Sequence, residues 1–135
     1  MPIDPPPAFD VEPMPPARML LDPRGRIGRA AFWRWGVGFP LGMGLLLHAL
    51  LGIARIPLED AETAINLVLL WPAIAVAAKR WHDRGKSAWW QLIVLLPLIG
   101  LLWMVVELGG LRGTRGANRF GPEPRDGDAQ REQEP

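Results

Sequence analysis

The stretch SAWWQLIVLLPLIGLLWMVV, residues 87–106, contains no Asp, Glu, Lys or Arg. A hydrocarbon core about 30 Å thick is crossed by about 20 mostly apolar residues in a helix. The stretch has that length, but Pro97 and Gly100 sit at its centre. It therefore reads either as one crossing or as a hairpin that turns at Pro97–Gly100. In a hairpin each arm has only about nine residues, too short to span alone, and the exposed turn needs protein cover. A full crossing is the expectation, with a helix over about 88–108.

Two further runs lie upstream. Residues 35–54 are equally free of charge, and residues 63–78 repeat the pattern over a shorter length. The shorter run becomes adequate if Lys79 and Arg80 snorkel to the interface on their long stems. Helices are expected at about 32–54 and 62–81. The fold class is thus all-α, a small polytopic membrane protein with three transmembrane helices between disordered tails. A soluble helical protein would carry a polar face on each helix, and the polar residues left here are too few to cover three such segments.

The ends differ in kind. Residues 1–19 hold seven prolines and more acid than base, the reverse of a basic signal-peptide start. They read as a flexible, partly polyproline tail. Residues 125–135 are charged and poor in hydrophobes, and read as disordered. The membrane domain is assigned to residues 20–124. With no cysteine in the chain, disulfides, iron–sulfur clusters and thiol chemistry are excluded.

Charge distribution orients the bundle. The segment RGRIGRAAFWR (24–34) and the loop KRWHDRGKS (79–87) are basic, whereas the 55–62 connection is net acidic. The positive-inside rule places the two basic segments, and the N-terminus, in the cytoplasm. Trp33, Trp35, Trp81, Trp89 and Trp90 fall at that same face, as aromatic girdles do. Arg112, Arg115 and Arg119 break the pattern, because three crossings would put them outside.

Two polar clusters carry whatever chemistry the chain has. Arg26 and Arg29 in the first segment can meet Arg80, His82, Asp83, Arg84 and Lys86 in the loop, with Asp83 accepting a forked bond from Arg26 or Arg29. A second candidate site, Arg115, Asn118 and Arg119, sits in the turn GTRGANRFGPEP (113–124). Cations left over can engage anionic lipid headgroups, or serve only as topology anchors. His82 beside Asp83 resembles half of an acid–base pair, with Ser87 the only nearby hydroxyl, and no nucleophile is arranged for it. No catalytic residue, metal site or cofactor is assigned, since one histidine and one carboxylate are too few for zinc. The basic stretches abut the membrane, so nucleic acid is not an expected partner. His48 and Asn66 lie within the apolar helices; each needs a polar partner there. Gly38 and Gly42 on the first helix offer an association surface of the small-xxx-small kind.

GRIGRAAFW, KRWHDRGKSAWW and GTRGANRFGPEP, in this order, resemble the DUF805 family of small bacterial inner-membrane proteins, a family of unknown function. Gly25, Arg26, Arg29, Phe32 and Trp33 match the family's first motif. Arg80, His82, Asp83, Gly85, Lys86, Ser87, Trp89 and Trp90 match its second, and Asn118, Arg119, Phe120 and Gly121 its third. Trp81 stands where Leu or Phe is usual, and Ala31 where an acidic residue is frequent. The resemblance implies the bacterial inner membrane and names no activity. Three functions remain in view. A non-enzymatic scaffold or accessory protein, binding membrane lipids or a membrane-protein partner, comes first. An oligomeric transporter or channel subunit with His48 and Asn66 in its pore, and an interfacial lipid or phosphate enzyme using His82 and Asp83, are the alternatives.

Overall fold

The computed structural model describes residues 14–124, the side chain of residue 60 aside. The expectations for residues 1–13 and 125–135 lie outside the described residues. Four helices and one 3₁₀ segment follow one another: α1 (Pro16–Leu21), α2 (Arg29–Ala54), α3 (Leu58–Asp83), the 3₁₀ segment (Ala88–Leu95) and α4 (Ile99–Gly110).

Both α2 and α3 are long and apolar enough to cross a membrane. At about 1.5 Å per residue each reaches roughly 39 Å, beyond the hydrocarbon thickness. Pro40 withholds the N–H that would bond to the carbonyl of Gly36. The helix responds by widening into π geometry over Phe32–Gly38. At its other end Arg55 takes a left-handed conformation, and its N–H and that of Ile56 close onto Gly52 and Leu51. Pro57 then starts α3, so the two long helices form a tight antiparallel pair.

The third apolar run is not the single helix expected over 88–108. Ser87 accepts the Trp89 N–H and opens the 3₁₀ segment, which ends at Leu95 where Pro97 offers no N–H to the carbonyl of Val94. Leu98 has a φ of 62° and a ψ of −61°, and Ile99 N–H closes a γ-turn onto Pro97 at 2.7 Å. The chain then doubles back as α4. A Cβ on Gly100 would overlap the carbonyl of Ile93, so the absent side chain lets the two arms touch. The arms measure about 16 Å in 3₁₀ geometry and about 18 Å as helix, and neither spans a bilayer. The C-terminal segment consequently returns to the end of α3 from which the hairpin left.

Burial is uneven in a way that marks this end. Between Phe39 and Ala54, α2 buries nothing, whereas α3 is continuously buried from Ala75 to Trp81. One small core joins Met19, Ile27 and Val76, and a second joins Ala77, Trp81 and Leu108. Residues 16–19, expected within a flexible tail, are part of α1. Lys79 donates to the carbonyl of Met19 at 2.7 Å and Trp71 to that of Leu21 at 3.1 Å, and together they close the end of this short helix.

Candidate functional site

The end of α3 carries Lys79, Arg80, Trp81 and Asp83, all buried. Three buried charged groups, Lys79, Arg80 and Asp83, would be costly unless each were paired or hydrogen-bonded. Asp83 is the centre of the solution. Its Oδ1 accepts from Arg26 Nε at 3.1 Å and Nη2 at 2.9 Å, and its Oδ2 accepts from Arg80 Nη1. Its backbone carbonyl receives both the N–H of Thr114 at 2.8 Å and the Thr114 hydroxyl at 3.0 Å. Gly113 is required there, since a Cβ would fall inside the carboxylate.

The remaining guanidinium hydrogens go to carbonyls of the returning chain. Arg80 takes Leu108 at 2.7 Å and also Leu111. Arg26 takes Thr114 at 2.6 Å, Gly116 at 2.7 Å and Gly121 at 3.2 Å. Arg29 reaches Gly110 at 3.2 Å, Trp33 reaches Gly109 at 3.2 Å, and Arg84 reaches Arg112. Leu108, Gly109 and Gly110 are carbonyls that the last turn of α4 leaves without helical partners, and cations there also complement the helix dipole; the others belong to the turn that follows. A planar fork with five donors suits this work as an ammonium does not.

A second ion-pair group lies beside the first. Glu107 accepts from Lys86 at 2.5 Å and from Arg84 at 3.1 Å. Lys86 also stands 5.6 Å from the Trp81 ring centre and 5.1 Å from that of Trp90. His82 faces the carbonyl of Gly25 at 3.1 Å through Nδ1, and its ring stacks on Phe120 with centres 4.0 Å apart. Asn118 donates to the His82 carbonyl and to the Thr114 hydroxyl, both at 2.9 Å, and pairs with Gly121 in a two-way backbone bridge. Beyond the helices, the Arg24 N–H holds the Asp22 carboxyl below its ordinary range, against a small opposing effect of burial.

Sequence reasoning named Arg26, Arg29, Arg80, His82, Asp83, Arg84 and Lys86 as one site and Arg115, Asn118 and Arg119 as another. The hairpin brings them to a single end of the molecule. Asn118 is inside the assembly, while Arg115 and Arg119 are exposed on its outer side. Glu107 is a buried partner of the loop cations. Thr114 was missed, although a hydroxyl flanked by Gly113 and Gly116 is a plain signal of a turn that docks. His48 bonds back onto the Gly44 carbonyl of its own helix at 2.7 Å, and Asn66 is exposed. A shallow groove lined by Ser87, Trp89, Trp90 and Ile93 adds one hydroxyl to this end. Among the described residues, no three His, Cys, Asp or Glu side chains come together as a metal would require.

Residues 20–122 match a family described as a protein of unknown function, DUF805. Among curated proteins, the inner membrane protein YhaH of Escherichia coli K12 is 38% identical over 107 residues, and the alignment covers 76% of this chain and 86% of that protein. The uncharacterized protein YiiR of the same organism is 31% identical over 127 residues with the same coverage. The inner membrane protein YhaI is 29% identical over 103 residues. No solved structure matches the chain.

Proposed function

Because this chain belongs to the DUF805 family, whose description states no activity, we propose its role from the geometry: a non-enzymatic protein of the bacterial inner membrane that holds a braced, basic interaction surface at the cytoplasmic face. The carrying observation is the network around Asp83. Arg26, Arg80 and Arg84 turn inward and bind carbonyls and carboxylates of their own chain, so their work is to build the surface.

Two long helices cross the membrane, and the third apolar run dips in and returns. Residues 14–34, 79–87 and 107–124 then share one face, with twelve lysines and arginines against four carboxylates. By the positive-inside rule that excess supports a cytoplasmic assignment for the face, and the acidic 55–62 connection on the far side supports it too. Arg112, Arg115 and Arg119, which contradict the rule under three crossings, obey it under this topology. The relatives YhaH and YhaI carry the words inner membrane in their names, which supports the location.

Photo-crosslinking from position 115 in living cells tests this reading. A lipid or membrane-protein adduct is expected there, reduced when Asp83→Asn loosens the network and absent from a probe at Glu59. Equal adducts from the two positions would remove the interaction surface from consideration.

A further inference from the structure

The network divides the arginines into two populations, and only one of them is available to a ligand. Arg26 and Arg80 are inside, with side chains 1% and 0% exposed. Arg115 and Arg119 ride on the turn that those inner arginines hold down, and both are exposed. The turn is fixed at several points: Gly116 O is held by Arg26, Gly116 N–H by the Glu123 carboxylate at 2.6 Å, and Asn118 by His82 and Thr114. Arg119 lies over the Phe120 ring at 4.6 Å, and that ring is itself stacked on His82. Its guanidinium is therefore presented at a set height. Among the described residues, neither Arg115 nor Arg119 pairs with a carboxylate.

At the same end of the molecule Trp33, whose indole donates to the Gly109 carbonyl, and Trp89 and Trp90, which follow the 79–87 loop, are 45%, 77% and 48% exposed. Exposed tryptophans mark the headgroup level of a bilayer, and the hairpin between Trp89 and Trp33's partner Gly109 enters the membrane at that depth. We propose that the turn carrying Arg115 and Arg119 is a preorganised docking surface for anionic phospholipids of the surrounding leaflet, built by the inner arginines and read out by the outer two. The assignment deepens the reading of the cytoplasmic face and rests on it. Charge complementarity selects the occupant: phosphodiester headgroups bearing net negative charge lie beside fixed guanidiniums that can grip phosphate oxygens in a fork. Because the turn is held before binding, little ordering is required at the moment of contact.

Tryptophan quenching by brominated lipids tests the proposal on the full chain reconstituted in vesicles. Dibrominated phosphatidylglycerol is compared with dibrominated phosphatidylcholine at equal mole fraction. A cation close to an anionic leaflet favours it by about fivefold, so a preference of about threefold or more for phosphatidylglycerol is expected. Arg115→Gln with Arg119→Gln should bring that preference close to one, with quenching by phosphatidylcholine unchanged. Arg55→Gln, at the other end of α2, should leave it intact. A preference near one in the parent chain, or one that survives the double substitution, would overturn the assignment. Suppression of the preference by inorganic phosphate at constant ionic strength would also overturn it, because the site would then bind a free anion. If these tests fail while positions 24 and 115 still face the same side, the lipid assignment falls and the braced surface stands.

Discussion

Asp83 and Arg26 stand 57 positions apart and meet in a forked pair, Nε and Nη2 of the guanidinium both reaching Oδ1 at 3.1 and 2.9 Å. The contact joins the approach to the first long helix to the end of the second. Through Arg26 it also reaches Thr114, Gly116 and Gly121 of the C-terminal turn. One residue pair therefore fixes three segments that the sequence keeps apart.

Removing one member of a buried pair leaves an uncompensated charge and costs about 3–5 kcal/mol. Asp83→Asn and Arg26→Gln should each lower the thermal midpoint of the purified protein sharply, and the two together should cost less than their sum. Arg26→Lys should not rescue, because an ammonium cannot bridge a carboxylate and three carbonyls at once. Additive losses in the double variant would mean that the two side chains do not share a network.

Gly100 tests the hairpin. Its missing Cβ lets α4 lie against the carbonyl of Ile93, and backbone cannot move aside as a flexible side chain can. Gly100→Ala should destabilise by at least the roughly 1–3 kcal/mol of ordinary overpacking. Gly42→Ala, where a Cβ meets nothing within 4 Å, should be close to neutral. Equal stability of the two variants in a detergent melt would argue for a third segment without the turn.

Leu98 sits at a positive φ that side chains other than glycine rarely adopt, and its side chain is 76% exposed. Strain of this kind costs on the order of 1–3 kcal/mol. Leu98→Gly should raise the midpoint, and Leu98→Val, branched at Cβ, should lower it. A loss of stability with glycine would show that the leucine adopts an ordinary conformation within a continuous helix.

Phe120 ties the C-terminal turn to His82 by a stacked contact, an arrangement worth about 0.5–1.5 kcal/mol beyond buried area. Phe120→Ala should leave the helices folded while speeding cleavage of the C-terminal turn by a soluble protease, and Phe120→Trp, which keeps an aromatic ring against His82, should leave cleavage slow. Cleavage at the parental rate in Phe120→Ala would remove the stack as a fastening.

Much of this architecture was legible in the residues. The uncharged runs fixed two long helices, and Arg26, Arg80, His82 and Asp83 announced a meeting of segments through their fork-and-carboxylate chemistry. The third run was harder, because hydropathy records depth and not direction. Twenty apolar residues suit one crossing or two half-crossings equally well, and the decision lay in Pro97, Leu98 and Gly100. Arg112, Arg115 and Arg119 were the contrary signal, a basic tail on the wrong side of a three-helix bundle. What sequence could not give was the inward turn of the arginines. Their partners are backbone carbonyls of residues 108–121, and every residue type carries a carbonyl, so no pattern of letters reveals them.

The return of the third segment is tested most directly by sided labelling. The chain has no cysteine, so single cysteines at Arg24, Glu59 and Arg115 can be probed in intact spheroplasts with a membrane-impermeant maleimide, before and after permeabilisation. A re-entrant hairpin requires that positions 24 and 115 react only after permeabilisation and position 59 before it. Reaction of position 115 from the outside, with position 24 protected, would restore three crossings and separate the C-terminal turn from Asp83.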